Sequence, residues 1–210
     1  MMEFKPDCRE CPRLAKFLDT VKDKNPNYFC KPVPAFGVSN PKLLIVGLAP
    51  GMHGANKTGR PFTGDFAGIL LYQTLFKFGF SSEAVSISVD DSLSLIDTRI
   101  TNAVKCLPPE NKPKTTEILQ CNKFLSHEIR CIPDKVIILS LGKIAHDAIL
   151  MALNLKKSHY KFSHGARHEL SSEQILYDSY HCSKYNTQTK RLTVDMFENI
   201  FLNIKKEMEK

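Results

Sequence analysis

Lys135-Val136-Ile137-Ile138-Leu139-Ser140-Leu141-Gly142 reads as the clearest buried strand in the chain. A short apolar run closed by glycine leaves no position for solvent, the pattern of a parallel strand covered on both faces. Lys42-Leu43-Leu44-Ile45-Val46-Gly47 repeats it, and Arg99–Val104 and Gln174–Tyr180 supply two further strand candidates. Helical spacing predicts helices over Phe66–Phe78, Thr115–Cys131, Lys143–Asn154 and Arg191–Glu209. Pro108, Pro109 and Pro113 break the chain before the second of these, and Pro133 and Asp134 lead into the clearest strand. Strand and helix therefore alternate about four times. That alternation predicts an α/β fold, a three-layer α/β/α sandwich with a four-stranded parallel sheet. Residues 1–41 are rich in Cys, Pro, Lys and Asn, with one short amphipathic stretch at Leu14–Leu18. They read as an N-terminal arm on a single domain spanning 1–210.

With 42% hydrophobic and 24% charged residues among 210, a packed core is expected and disorder is excluded. Twenty-nine Lys and Arg against 22 Asp and Glu give a net charge of +7, which favours an anionic partner, nucleic acid first. No stretch approaches the roughly 18–20 apolar residues of a membrane span. The start, Met1 to Pro6, lacks the apolar core of a signal peptide. A soluble, cytoplasmic protein with no membrane partner is the expectation.

Seven cysteines stand at irregular spacing, at 8, 11, 30, 106, 121, 131 and 182. An odd, irregular set argues against a disulfide framework. Cys8-Arg9-Glu10-Cys11 is the informative group, because two intervening residues let both sulfurs face one metal. A redox pair would sit between a strand and a helix, whereas this one precedes any strand. A metal needs two more ligands. Cys106 and Cys121 are candidates, with burial as ordinary apolar thiols the alternative.

Ligands of parallel sheets bind beyond the C-terminal ends of the strands. The loops after Val46, Val104, Leu141 and Tyr180 are therefore the places to look. The first runs from Gly47 to Asp65 and is rich in glycine, which lets backbone approach a ligand closely. It holds one carboxylate (Asp65), one histidine (His53) and one aromatic ring (Phe62). No Gly-Lys-Ser/Thr closes it, so it is not a nucleoside-triphosphate loop. A flexible surface loop is the plainer alternative, although long loops in compact domains are usually functional. Asp65 would also serve simply as the cap of the helix beginning at Phe66. His181, after the last strand, can reach the same cleft, or be a structural histidine.

These same segments carry a resemblance. Gly47-Leu48-Ala49-Pro50-Gly51, His53-Gly54, Thr58 to Asp65, Ile100 to Cys106, and Tyr180-His181-Cys182-Ser183 followed by Asn186 to Thr189 resemble, in this order, the uracil-DNA glycosylase superfamily. Within it the chain is most similar to the family 5 branch. The resemblance implies a four-stranded parallel sheet and a [4Fe–4S] cluster held by Cys8, Cys11, Cys106 and Cys121. It leaves Cys30, Cys131 and Cys182 as ordinary thiols. It implies a monofunctional enzyme that flips uracil, and other deaminated or modified bases, out of DNA and hydrolyses the N-glycosidic bond. The implied partner is DNA containing such bases, met by a monomer.

Carried onto this sequence, the resemblance makes Phe62 the stacking ring and Asn102 the reader of the base edge. Asn suits that role because it both donates and accepts. His181 would stabilise the departing base anion and Asp65 would hold or polarise the water. Gly47 would admit the base, and His53 is a second polar candidate there. Three features depart from related branches. Leu48 and Ala49 stand where many of them carry a carboxylate or amide. Cys182 stands for the usual proline and Lys190 for the usual glycine. No lysine is evident as a Schiff-base nucleophile, so no lyase step is expected. The alternatives are a catalytically inactive DNA-binding iron–sulfur relative, or a hydrolase that uses the glycine loop for a nucleotide phosphate.

Overall fold

The computed structural model describes residues 4–132, 135–171 and 173–209. Pro133 and Asp134, expected to lead into a strand, and Met1 to Glu3 lie outside the described residues. Along the chain run α1 (Pro12–Lys24), β1 (Phe36–Gly37), β2 (Leu43–Gly47), α2 (Ala55–Thr58), α3 (Phe66–Lys77), β3 (Thr98–Asn102) and α4 (Thr115–Arg130). They are followed by β4 (Val136–Leu141), α5 (Lys143–Ala152), β5 (Arg167–Glu169), β6 (Gln174–Ser179), α6 (Lys184–Gln188) and α7 (Val194–Met208). The strands form one sheet in the order β1-β3-β2-β4-β6-β5.

The pairs β3–β2, β2–β4 and β4–β6 are parallel. The four expected strands are thus the centre of the sheet. The expectation of four strands in all is corrected to six, because β1 pairs antiparallel with β3 and β5 with β6. These two edge strands are two and three residues long, too short to show a period in sequence.

The continuous apolar runs serve two cores because side chains alternate across a sheet. Leu43, Ile45, Ile137, Leu139 and Tyr177 face α3 and α7, packing with Leu71, Leu75, Phe197 and Phe201. Leu44, Val46, Ile138 and Leu176 face α4 and α5, packing with Leu125, Ile129, Ala145 and Ile149. Each such side chain contributes roughly 1.5–3 kcal/mol by leaving water.

The amphipathic stretch at Leu14–Leu18 is the middle of the longer helix α1. Pro12 opens that helix, and Lys22 and Lys24 close it near its negative pole. Leu14 packs with Val104, Cys121 and Phe124, while Leu18 and Val21 pack with Leu107 and Cys30. Arg13 donates to both Glu117 oxygens, at 2.8 and 2.7 Å, tying α1 to α4. Beyond α1, Phe29 N donates to Lys57 O at 3.0 Å and Cys30 N to Asn56 O at 3.1 Å. The N-terminal segment is thereby fastened to the glycine loop. Among the described residues no helix is long and apolar enough to cross a membrane.

Candidate active site

Gly47 ends β2 beside Asn102, which ends β3, and the two are paired in register. A Cβ on Gly47 would lie 2.4 Å from Asn102 Oδ1 and 2.7 Å from Phe62 Cζ. Only glycine lets the amide and the ring close over the strand end. Leu141 ends β4, and His181 follows β6 by two residues. These ends surround a cavity of about 500 Å³ lined by Asn102, Phe62, Asp65 and His181, with Leu48, Ala49, Gly142 and Ser183 among the remaining wall. The strand-end placement expected of a parallel sheet is what the structure has.

Asp65 does two things at once. Its Oδ1 accepts from Gly68 N at 2.8 Å and caps α3. Its Oδ2 faces the glycine loop, 2.4 Å from where a Cβ on Gly54 would sit. Burial raises its carboxyl above the usual range, partly offset by the backbone N–H groups of Gly68 and Ala67. The cap and the cavity-facing carboxylate are one residue, because the helix begins at the cavity wall.

His181 lines the cavity, and its Nδ1 is buried without a hydrogen-bond partner among the described residues. Burial pushes its pKa down to about 4, so the ring is neutral near pH 7. Asn186 Nδ2 donates to His181 O at 2.7 Å and fixes the backbone that carries the ring. Phe62 sits at φ +54, in the left-handed region that side chains rarely adopt.

His53 is not brought together with these residues. It is exposed, and its Nδ1 lies 2.9 Å from Tyr28 Oη. The pairing of residues 29–30 with 56–57 places Tyr28 there, outside the cavity wall. Leu48 and Ala49 do line the cavity, so the end of β2 contributes no carboxylate. Lys190 sits at φ +57, a conformation that glycine adopts freely, and Cys182 is fully buried.

Sequence reasoning missed Lys143 on the cavity wall and Asn111 at φ +55, and gave no role in the cavity to Ser183, which stands in the quoted motif, or to Lys184. Only their position after strand ends, or in a loop near them, could have singled them out. Lys143 and Lys184 bear on the expectation that no lysine is placed as a Schiff-base nucleophile. Lys143 Nζ, however, is held by both oxygens of Asp147, at 3.0 and 3.1 Å.

The four cysteines singled out above line one small cavity between α1, α4 and the segment after β3. Leu14, Val104 and Phe124 close it with apolar surface. Lys105 N donates to Cys121 Sγ at 3.3 Å. Burial and the neighbouring thiols push Cys11 up to about 11 and Cys106 higher still. The sulfurs are not gathered within 4.8 Å of one another. Among the described residues that degree of closeness belongs to His146, His168 and Asp178. Those three satisfy one another: Asp178 Oδ1 lies 2.8 Å from His146 Nδ1, Asp178 Oδ2 lies 3.0 Å from His168 Nε2, and Ser140 Oγ donates to Oδ1 at 2.7 Å.

The sequence pattern of the uracil DNA glycosylase superfamily matches residues 34–205. A Type-5 uracil-DNA glycosylase of Thermus thermophilus is 41% identical over 204 residues, 95% of this chain and 93% of the relative. One of Pyrobaculum aerophilum is 36% identical over 92% of this chain and 86% of the relative. A Type-4 uracil-DNA glycosylase of Saccharolobus solfataricus is 34% identical over 59% of this chain. With the match running through every strand end that walls the cavity, the chain belongs to the uracil DNA glycosylase superfamily.

Proposed function

We propose that this chain excises uracil from DNA as a monofunctional glycosylase, and that the cavity at the strand ends is where it does so. The observation that carries the reading is the convergence on Gly47. Its missing Cβ brings Asn102 and Phe62 into a cavity that also holds Asp65 and His181. Phe62 offers an aromatic face to a flipped base, and the Asn102 amide offers a donor and an acceptor to its edge. Cleavage leaves negative charge on the base and positive charge on the sugar. A neutral His181 donates a hydrogen bond to the base anion. Asp65 Oδ2 orients the water and offsets the positive sugar. The surplus of basic residues holds the phosphates. On this reading the chain works as a monomer in the cytoplasm, on DNA carrying uracil or another deaminated base. The three-dimensional retention of Asp65, Asn102 and His181 together favours an enzyme over an inactive DNA-binding relative.

Cys8, Cys11, Cys106 and Cys121 would hold a [4Fe–4S] cluster. Four thiols around one apolar cavity suit iron–sulfur or zinc. The resemblance of these four cysteines to the family's ligand set favours the cluster. Bound, it would brace the segment between Asn102 and α4.

Incubating the protein with a uracil-containing duplex and then with alkali tests the activity. Cleavage at uracil alone, with a thymine control intact, is expected; an intact uracil strand would refute it. Iron and sulfide near four each per chain are expected for the cofactor, and stoichiometric zinc would refute that assignment.

A further inference from the structure

Phe62 owes its position to residues that do not line the cavity. Its backbone is left-handed, and its carbonyl oxygen comes so close to Gly68 that a Cβ there would lie 1.9 Å from it. Such a conformation persists only where the surroundings over-determine it. Arg60, 4% exposed, does this from beneath. Its Nε donates to Thr63 Oγ1 at 2.9 Å. Its terminal nitrogens donate to the two Asp91 oxygens at 2.8 and 2.6 Å, and one also to Ser86 Oγ at 2.6 Å. Asp91 in turn accepts from the backbone N–H groups of Ile87, Ser88 and Leu93. On the other side of the turn, Tyr72 Oη donates to Pro61 O at 2.9 Å. Both neighbours of Phe62 are therefore pinned, one of them through a bidentate ion pair to a segment some thirty residues away.

We propose that Arg60 and Asp91 are positioning residues for base excision: their planar, two-bond pair fixes the left-handed turn at Phe62 and so the angle at which its ring meets the flipped base. This rests on Phe62 being the stacking ring. A guanidinium is required because its fork holds both carboxylate oxygens and Thr63 together, which an ammonium cannot reproduce.

A double-mutant cycle tests it, with single-turnover uracil excision as the rate and circular dichroism as the check on folding. Asp91→Asn should slow excision about tenfold in the presence of Phe62, and hardly at all in a Phe62→Ala background, because interacting residues are non-additive. Asp91→Glu should recover part of the rate, and affinity for abasic product DNA should be unchanged. Equal losses in both backgrounds, or no loss with Phe62 present, would overturn the proposal. If Phe62→Ala alone excises at the wild-type rate, it is the stacking role that fails. Should Asp91→Asn not fold, Ser86→Ala removes one guanidinium partner and must show the same dependence on Phe62 at smaller amplitude, or the proposal falls.

Discussion

The rings of Phe62 and His181 lie against each other, centroids 6.0 Å apart and planes inclined by 29°. A base sandwiched between two parallel rings needs roughly 7 Å, twice a contact distance of about 3.5 Å. The rings as they stand do not sandwich a base. On the proposed function, the base would take one face of Phe62 and meet His181 by its polar edge, which suits a hydrogen-bonding role for the imidazole.

Burial holds that imidazole at about 4, against 6.5 for a free histidine. Single-turnover excision between roughly pH 5 and 8 should therefore show no inflection near 6.5. The linked stability has a definite sign. As the pH falls below 6.5 the unfolded chain takes the proton first, so the His181 contribution is present above 6.5 and lost between 6.5 and 4. Asp65, whose pKa is raised by burial, acts oppositely and favours the fold slightly as it protonates. An inflection in rate at 6.5 would show that His181 titrates in water.

Asp65→Asn separates the cap from the chemistry. Asn caps a helix as well as Asp, so the melting temperature should hold, while the rate falls with the loss of charge. Asp65→Ala should lose the cap as well, about 1 kcal/mol, measurable by chemical denaturation. If Asp65→Asn excises at the wild-type rate, the residue is only a cap.

Lys105 is 1% exposed, its ammonium bonded to both Glu128 oxygens at 2.8 and 2.9 Å and to Thr101. The pair ties the strand of Asn102 to α4, which carries Cys121. Glu128→Leu leaves a buried charge alone and should cost about 3–5 kcal/mol. Adding Lys105→Met should recover most of it, because a buried pair replaced by apolar groups is often neutral. Urea denaturation of the single and double variants measures both.

The centre of the fold was legible because β2 and β4 are buried on both faces and so are written as unbroken apolar runs. The edge strands β1 and β5 were not, being too short for a period. Of the cavity-facing set, Phe62, Asp65 and His181 stand in loops that follow strand candidates, while Asn102, inside a strand candidate, was singled out through the family resemblance. His53 was misplaced because its partner Tyr28 belongs to a segment read as an arm, and nothing local reveals that residues 29–30 bond to 56–57. Arg60 stood in the quoted motif without a role, since its partner Asp91 lies in a stretch without periodicity. Ser183 likewise stood in the quoted motif without a role, and Lys143 is a residue type found on any surface, given a place only by the assembled sheet.

Single-turnover excision of uracil by His181→Ala, beside the wild type and with product-DNA affinity measured in parallel, tests the assignment of this cavity most directly. An interaction made mainly in the transition state should be lost, slowing excision on the order of 10²–10³-fold with DNA binding nearly intact. Wild-type excision by the alanine variant, or a rate loss matched by an equal loss of DNA affinity, would contradict it.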